Sequence, residues 1–321
     1  MSFFSDVERD LVVAARTELA EGVLALDLVA HNGRDLPAWT PGSHVDVLLR
    51  PGCERQYSLC GDTADRSRWR VAVLREPAGR GGSVALHDDV RVGDRLRVRG
   101  PRNHFSFEVT PGTAYRLVAG GIGITPLRAM VAAAEEAGAE WTLDYAGRSR
   151  RAMAFADDLA AAHPGRVRLH AADEGGRLDV AALLAEPRAD TAVYVCGPTR
   201  LIDAVEAAAV SWPAAALHTE RFEAKEFGEP VWPEPFEVEL ALSGGEVTVA
   251  PGQSVLDAVA GAGVVVLSSC RVGTCGTCET AVLEGAVEHR DSVLTPAEQE
   301  EDTAMMICVS RAAGPRLVLD L

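Results

Sequence analysis

Ser268-Ser269-Cys270-Arg271-Val272-Gly273-Thr274-Cys275-Gly276-Thr277-Cys278 places three cysteines in the spacing C-x4-C-x2-C, and a fourth, Cys308, follows with 29 residues between it and Cys278. Four thiolates in this arrangement hold a [2Fe-2S] cluster in plant-type iron–sulfur loops. Three ligands on one loop wrap two irons, and Gly273 and Gly276 let the backbone fold close to the inorganic sulfides. Amide N–H groups of such a loop then stabilise the reduced, more negative cluster. Met306-Ile307-Cys308-Val309 reads as a buried strand that carries the fourth thiolate to the loop. Zinc and disulfides are the competing readings. Structural zinc usually takes two Cys-x2-4-Cys knuckles, whereas Cys308 stands alone. Disulfides suit secreted chains, and Met1-Ser2-Phe3-Phe4-Ser5-Asp6 has no basic segment leading into an apolar run.

Working outward, 321 residues suffice for two or three domains. No apolar run reaches the 18 or so residues of a membrane span, so the expected compartment is the cytoplasm, with no membrane partner. The net charge of −16 argues against nucleic acid. From Phe236 to the end there are 13 Asp and Glu against 4 Arg and no Lys, a net of −9. That excess is either a solvated surface or a field that steers a basic redox partner. Its densest run, Glu298, Glu300, Glu301 and Asp302, is equally readable as the start of a helix, where carboxylates favour the dipole.

Residues 7 to 108 show partial strand alternation, as in Val23-Leu24-Ala25-Leu26-Asp27-Leu28-Val29 and Trp69-Arg70-Val71-Ala72-Val73-Leu74-Arg75. Pro41-Gly42, Pro51-Gly52, Gly93-Asp94 and Gly100-Pro101 cut them into short pieces, the punctuation of a small antiparallel barrel. Arg55-Gln56-Tyr57-Ser58 sets a cation, a phenol and a hydroxyl on one strand-like piece. Arg80-Gly81-Gly82-Ser83 precedes a short helical stretch, Val84 to Asp88, and offers free N–H groups and a positive charge to a phosphate. Taken singly, the first also reads as core and the second as a solvated turn.

After Pro111-Gly112 the pattern changes. Tyr115 to Ala119, Trp141 to Ala146, Arg166 to His170 and Ala192 to Cys196 read as short apolar strands. Helical stretches over Leu127 to Ala137, 151–163 and 199–209 lie between or after them, which implies a parallel sheet covered on both faces. Such sheets bind ligands beyond the C-terminal ends of their strands. Gly120-Gly121-Ile122-Gly123 at one end suits a pyrophosphate, although it is not the G-x-G-x-x-G fingerprint. Cys196-Gly197-Pro198 sits at another, where Cys196 by itself reads as a buried inert thiol.

Over essentially its whole length, and in the same order, the chain resembles the phthalate dioxygenase reductase family within the ferredoxin–NADP reductase-like superfamily. Arg55-x-Tyr57-Ser58 is similar to the family's isoalloxazine and ribityl-phosphate motif, and Arg80-Gly81-Gly82-Ser83 to its flavin phosphate loop. Gly121-x-Gly123-Ile124-Thr125-Pro126 matches the loop joining flavin and nicotinamide sites, and Cys196-Gly197-Pro198 the motif beside the nicotinamide ring. Glu220-Arg221-Phe222 resembles the end of the nucleotide domain, where an aromatic covers the flavin, and the ending from Val309-Ser310-Arg311 to Leu321 also resembles the family's.

The resemblance implies a multidomain chain: an antiparallel β-barrel FMN domain (1–108), an α/β parallel-sheet NAD domain (109–228), and a linker with an α+β plant-type ferredoxin (β-grasp) domain (229–321). The linker is Gly228-Glu229-Pro230-Val231-Trp232-Pro233-Glu234-Pro235, stiffened by its prolines. The implied activity is NAD(P)H-dependent: electrons pass from NADH through FMN and the cluster to a partner oxygenase, either a Rieske-type aryl oxygenase or O-demethylase or a haem-thiolate monooxygenase. The implied roles are cluster ligation by Cys270, Cys275, Cys278 and Cys308, and flavin binding by Arg55, Tyr57, Ser58, Arg80, Gly81, Gly82 and Ser83. Thr125, Cys196 and Phe222 shape the hydride gap, with Gly121, Gly123, Gly197 and Pro198 around the nucleotide. Tyr145-Ala146-Gly147-Arg148-Ser149-Arg150 ends the second strand of that domain with no acid for the ribose hydroxyls, so Arg148 and Arg150 lean to NADPH. NADH is the preferred donor with NADPH also accepted, and the chain is expected to act as a monomer. Two other functions fit parts of the pattern: a free-standing flavin or ferric reductase, and a non-enzymatic redox sensor.

Overall fold

The computed structural model describes residues 7–50 and 53–321. The first six residues and Pro51 and Gly52 lie outside them. By its internal contacts the chain divides into two units, Met1–Arg221 and Phe222–Leu321.

The first unit opens with six antiparallel strands: β1 (Glu8–Ala20), β2 (Val23–Ala30), β3 (His44–Arg50), β4 (Cys53–Ser58), β5 (Trp69–Leu74) and, after helix α1 (Gly82–Asp88), β6 (Arg95–Arg102). Their order is β4-β3-β6-β1-β2-β5, and a bridge between Leu59 and Val71 brings the two edges together into a barrel. Leu26, Leu28, Val45, Val47, Trp69 and Val71 fill its interior. The helix expected from Val84 begins earlier, so Gly82 and Ser83 belong to it.

The second half of this unit alternates strands and helices: β7 (Ala114–Gly120), α2 (Ile124–Glu136), β8 (Trp141–Gly147), α3 (Ala156–Ala162), β9 (Val167–Ala171), α4 (Val180–Leu183), β10 (Thr191–Cys196), α5 (Thr199–Ala208) and β11 (Leu217–Glu220). All pairs are parallel, in the order β11-β10-β7-β8-β9. The reversal of strand order beside β7 puts the C-terminal ends of β7 and β10 next to each other, where such sheets bind ligands. Barrel and sheet share one core: Val23, Cys60 and Ala72 belong to the same buried cluster as Tyr115, Leu117 and Met130. Phe105 and Phe107 lie against Tyr194, with ring centroids 5.6 and 5.0 Å away.

The second unit holds β12 (Phe236–Leu240), β13 (Glu246–Val249), α6 (Val255–Gly261), β14 (Glu279–Glu284), β15 (Val287–Glu288), α7 (Pro296–Glu300), β16 (Ala304–Met306), β17 (Arg311–Ala312) and β18 (Arg316–Leu319). A mixed sheet in the order β13-β12-β18-β14-β16 packs on α6 through Phe236, Val238, Val255, Val259, Met306 and Leu317. The division after Arg221, rather than after residue 228, has a local cause. The Gly228 carbonyl accepts from the Arg290 guanidinium, which also lies over the Phe227 ring. The Val231 amide donates to Glu288, and Trp232 packs on the second core. The proline-rich stretch is thereby tied to the domain it precedes.

Candidate functional site

The cysteine loop runs without regular structure from the end of α6 to β14. Cys270, Cys275, Cys278 and Cys308 are all buried, and none is in a disulfide. Cys270 lies in hydrogen-bond reach of Cys275 and Cys308, and Cys278 of Cys308. Amides do converge on sulfur: Val272 N–H and Thr274 N–H both donate to Cys270 Sγ at 3.4 Å. Neighbouring thiols and these amides hold the Cys270 sulfur well below the usual thiol range. Gly273 has φ of +73°, and a Cβ there would stand 2.6 Å from Val309 Cγ2. The loop is braced from outside by buried Asp291, which accepts from the Val293 and Leu294 amides and the Ser310 hydroxyl, while Ser292 N–H donates to the Gly273 carbonyl.

The fourth cysteine corrects one expectation. Strand β16 stops at Met306, and Cys308 sits in the turn that follows, closed by the Val309 and Ser310 amides on the Met306 carbonyl. The pairing of Glu279 with Met306 puts Cys278 beside this turn, which a strand continuing through Cys308 would carry past the loop. Four buried soft donors at one place fit a two-iron cluster.

The acidic run resolves into separate jobs. Glu298 closes a capping box with Thr295, its carboxylate accepting from Thr295 N–H at 2.8 Å. Asp302 accepts from the Val287 amide and meets His289. Glu300 and Glu301 are exposed.

In the barrel the two pieces expected to hold a flavin come together. The Arg55 guanidinium donates to the Arg80 carbonyl at 3.0 Å, and its side chain crosses Gly82 so closely that a Cβ there would stand 2.6 Å from Arg55 Cγ. Gly81, with φ of +82°, turns the chain into α1. Ser83 accepts from the Glu76 amide at 3.0 Å, which closes the loop before the helix and leaves the hydroxyl proton to donate. Tyr57 packs on the barrel core, and burial pushes its phenol up. The Ser58 hydroxyl is buried with no hydrogen-bond partner among the described residues. A glycine cradle crossed by Arg55 beside Arg80, with a buried orphan hydroxyl at the end of the same strand, fits a polar, phosphate-bearing group such as FMN.

The nucleotide face is built at the ends of β7, β8 and β10. Gly121 and Gly123 form a single turn of 3-10 helix that feeds α2. Gly123 lies so tightly on the β10 end that a Cβ would meet the Cys196 carbonyl oxygen at 2.2 Å. Gly197 likewise faces the Gly120 backbone, and Pro198 precedes α5. Thr125 is buried and donates its proton back to the Ile122 carbonyl at 2.9 Å, so it holds the turn itself. A cavity of about 850 Å³ opens here, lined among others by Gly120, Gly121, Arg148, His170, Arg177 and Arg200. Arg150, expected beside Arg148, is instead ion-paired with Asp157. Phe222 begins the second unit and is 41% exposed.

Sequence reading missed several participants. The Tyr145 hydroxyl donates to the Gly121 carbonyl at 3.0 Å and pins the loop. Arg177 and Arg200 follow glycine-bearing strand ends, the signal that could have found them. Glu220, registered against Cys196, accepts from its thiol at 3.7 Å. Burial pushes the Glu220 carboxyl from the ordinary 4.5 up to about 8, partly offset by that thiol, and burial with the nearby Glu220 charge raises Cys196 well above the usual thiol range. A carboxyl whose folded pKa is raised stabilises fully below its unfolded value and loses that contribution as pH rises through about 8. The melting temperature should therefore fall between about pH 5 and 9, by about 2–4 °C per kcal/mol lost. Glu220→Gln should flatten that slope in thermal melts; an unchanged slope would assign it to other groups.

Comparison with known proteins agrees with this geometry. Residues 238–313 match the family model of the 2Fe-2S iron-sulfur cluster binding domain, and 117–207 that of the oxidoreductase NAD-binding domain. The chain is 45% identical over 303 residues to phenoxybenzoate dioxygenase subunit beta of Ectopseudomonas oleovorans, covering 94% of each chain. The crystal structure of an intact type IV self-sufficient cytochrome P450 monooxygenase aligns with TM-score 0.92 and 45% identity, covering 98% of this chain and 41% of that one. The chain thus spans about two-fifths of that longer protein. Phthalate dioxygenase reductase aligns with TM-score 0.70 and 35% identity over 98% of both chains. Fold, cluster loop and nucleotide face place the molecule among NAD(P)H-dependent iron–sulfur flavin oxidoreductases, the reductases of oxygenase systems. Within them the chain belongs to the phthalate dioxygenase reductase family, whose members bind FMN, NADH and a [2Fe-2S] cluster.

Proposed function

We propose that the chain takes electrons from a reduced nicotinamide dinucleotide and hands them singly to an oxygenase component, Rieske-type or haem-thiolate. The observation that carries this reading is the convergence, in one chain, of four buried thiols and a nucleotide cavity abutting a flavin-type barrel loop. When bound, FMN accepts the hydride and gives up electrons one at a time, and the cluster carries one. The residues supply orientation, since hydride transfer needs reacting atoms about 3–3.5 Å apart.

In this reading Cys270, Cys275, Cys278 and Cys308 hold the cluster. Tyr57 and Ser58 hold the flavin ring, while Arg55, Arg80, Gly81, Gly82 and Ser83 enclose its phosphate. Gly121, Gly123, Gly197 and Pro198 shape the nucleotide path, Arg200 faces its phosphates and Arg148 its adenosine end, and Thr125 and Cys196 set the gap. Phe222, an exposed aromatic just after β11, is the cover of the ring. The functional modules are 1–108, 109–228 and 229–321, with 222–228 as the connecting segment that packs with the last of them. We read the chain as a cytoplasmic monomer: no helix among the described residues is long and apolar enough to cross a membrane, and its cores close within one chain. Glu300 and Glu301, the members of the acidic run without a structural partner among the described residues, are the ones left to steer an acceptor.

Anaerobic titration of the loaded protein tests the reading. Flavin plus cluster should accept about three electrons from about 1.5 NADH, cytochrome c should then be reduced, and the flavin released by heat should run as FMN on chromatography. No bleaching by NADH would support the redox sensor, and stoichiometric FAD would refute the flavin assignment.

A further inference from the structure

Four arginines line the nucleotide cavity, Arg75 from the barrel and Arg148, Arg177 and Arg200 from the parallel-sheet half; the last three are set apart from the first. These three residues are exposed, and among the described residues none of their side chains has an ion pair or hydrogen bond. This separates them from the arginines nearby, since Arg75 pairs with Asp88, Arg150 with Asp157 and Arg168 with Asp144. Among the described lining residues Glu76 is the one carboxylate, and it comes from the barrel, after β5. Asp173 and Glu174 are exposed and do not line the cavity.

Strand order assigns ends to the cavity. Cys196 closes β10, Gly120 closes β7, and Gly147 and Ala171 close β8 and β9, paired with each other. With strands about 4.8 Å apart, β10 and β9 are separated by roughly 14 Å, the scale of an extended dinucleotide. If the nicotinamide lies at Cys196, the adenosine lies over the ends of β8 and β9. Arg200 belongs to the middle, because its neighbour Leu201 stands where a Cβ on Gly120 would meet it at 2.7 Å. Arg148 directly follows β8, and Arg177 follows β9. Their two loops are joined, with Asp173 N–H donating to the Arg148 carbonyl at 3.2 Å.

The charges point the same way. Two phosphates of a dinucleotide are met by Arg200 and the turn at Gly121–Gly123, which leaves two cations over the adenosine. Ribose hydroxyls call for an acidic partner, and the adenosine end of the lining offers cations instead. A 2′-phosphate adds a charge of about −1.5 to −2 at neutral pH, which arginines take up in charge-assisted, often bidentate hydrogen bonds.

We infer that Arg148 and Arg177 form a subsite for a ribose 2′-phosphate, so that the chain takes NADPH as a donor alongside NADH. The inference rests on the nucleotide reading of the cavity, and the test keeps the two apart. Calorimetric titration of the full, cofactor-loaded chain compares adenosine 2′,5′-bisphosphate with 5′-AMP, which differ only in the 2′-phosphate. The bisphosphate should bind about 10–100-fold tighter, the range of one or two charge-assisted hydrogen bonds. In the Arg148→Ala, Arg177→Ala double variant this advantage should shrink to about twofold while 5′-AMP binding persists, which also shows that the variant is folded. The NADPH-to-NADH ratio of kcat/KM should fall in parallel. If both ligands bind alike to the unmodified chain, there is no 2′-phosphate subsite and the nucleotide reading stands. An advantage surviving in the double variant overturns the assignment to these arginines. If neither ligand binds, the nucleotide reading of the cavity falls, and the subsite with it.

Discussion

Cys308→Ser should leave NADH-driven reduction of ferricyanide within about twofold of the unmodified protein while cytochrome c reduction collapses. The two activities separate because the second unit packs a core of its own, from Trp232 to Leu321. Cys308 lies in a turn whose sulfur meets those of Cys270 and Cys278, so its loss removes a ligand rather than a structural strut. Partners that merely orient ligands are worth about 10–100-fold in metal affinity, and a ligand itself should exceed that. We therefore expect cytochrome c reduction to fall by about two orders of magnitude, with the cluster's visible absorption lost and the flavin retained. Equal loss of both activities, with flavin still bound, would contradict independent modules.

A methyl group at Gly123 should damage the other half of the pathway. The added Cβ would stand 2.2 Å from the Cys196 carbonyl oxygen, 2.4 Å from its carbon and 2.6 Å from Gly197 N, all backbone atoms that cannot rotate away. The ends of β7 and β10 must part, and these carry both the Gly121-to-Pro126 loop and the Cys196-Gly197-Pro198 motif. Overpacking of this kind costs about 1–3 kcal/mol of stability. Misplacing reacting groups by about 1 Å costs on the order of a hundredfold in rate. Gly123→Ala should thus lower the melting temperature of the first unit and cut kcat for ferricyanide reduction by about two orders of magnitude, with the cluster absorption unchanged. Gly261→Ala serves as control, since nothing lies within 4 Å of its added Cβ and its activity should stay at the unmodified level. Unimpaired hydride transfer in Gly123→Ala would mean that the loop contact does not set the gap.

Local chemistry is legible in the chain of residues alone. The cysteine spacing and the glycine between Val272 and Thr274 describe a loop that must turn through positive φ, and Gly273 does so. Alternating short apolar strands and alanine-rich helices imply a parallel sheet, and five such strands are present. Thr295-Pro296-Ala297-Glu298 spells a capping box, which explains one acid of a run also readable as a docking patch. These features are readable because periodicity, turn geometry and caps depend on neighbours within a few residues.

What meets across the sheet is not legible there. Gly123 touching Cys196, Glu220 beside the Cys196 thiol, Tyr145 holding Gly121, and Arg55 lying across Gly82 each join segments far apart in the chain. Their meeting follows from strand order and register, which no local pattern encodes. The same holds for Cys308, whose short strand ends at Met306 because the thiol must turn back toward Cys278. It holds too for Arg148, Arg177 and Arg200, which come from three strand ends and share a cavity only because parallel packing aligns those ends. Sequence by itself determined the cofactor chemistry and the order of the modules, since ligand spacing and glycine placement are local. Tertiary structure alone decided which side chains face one another over the nucleotide, because burial and strand pairing select contacts over long chain separations.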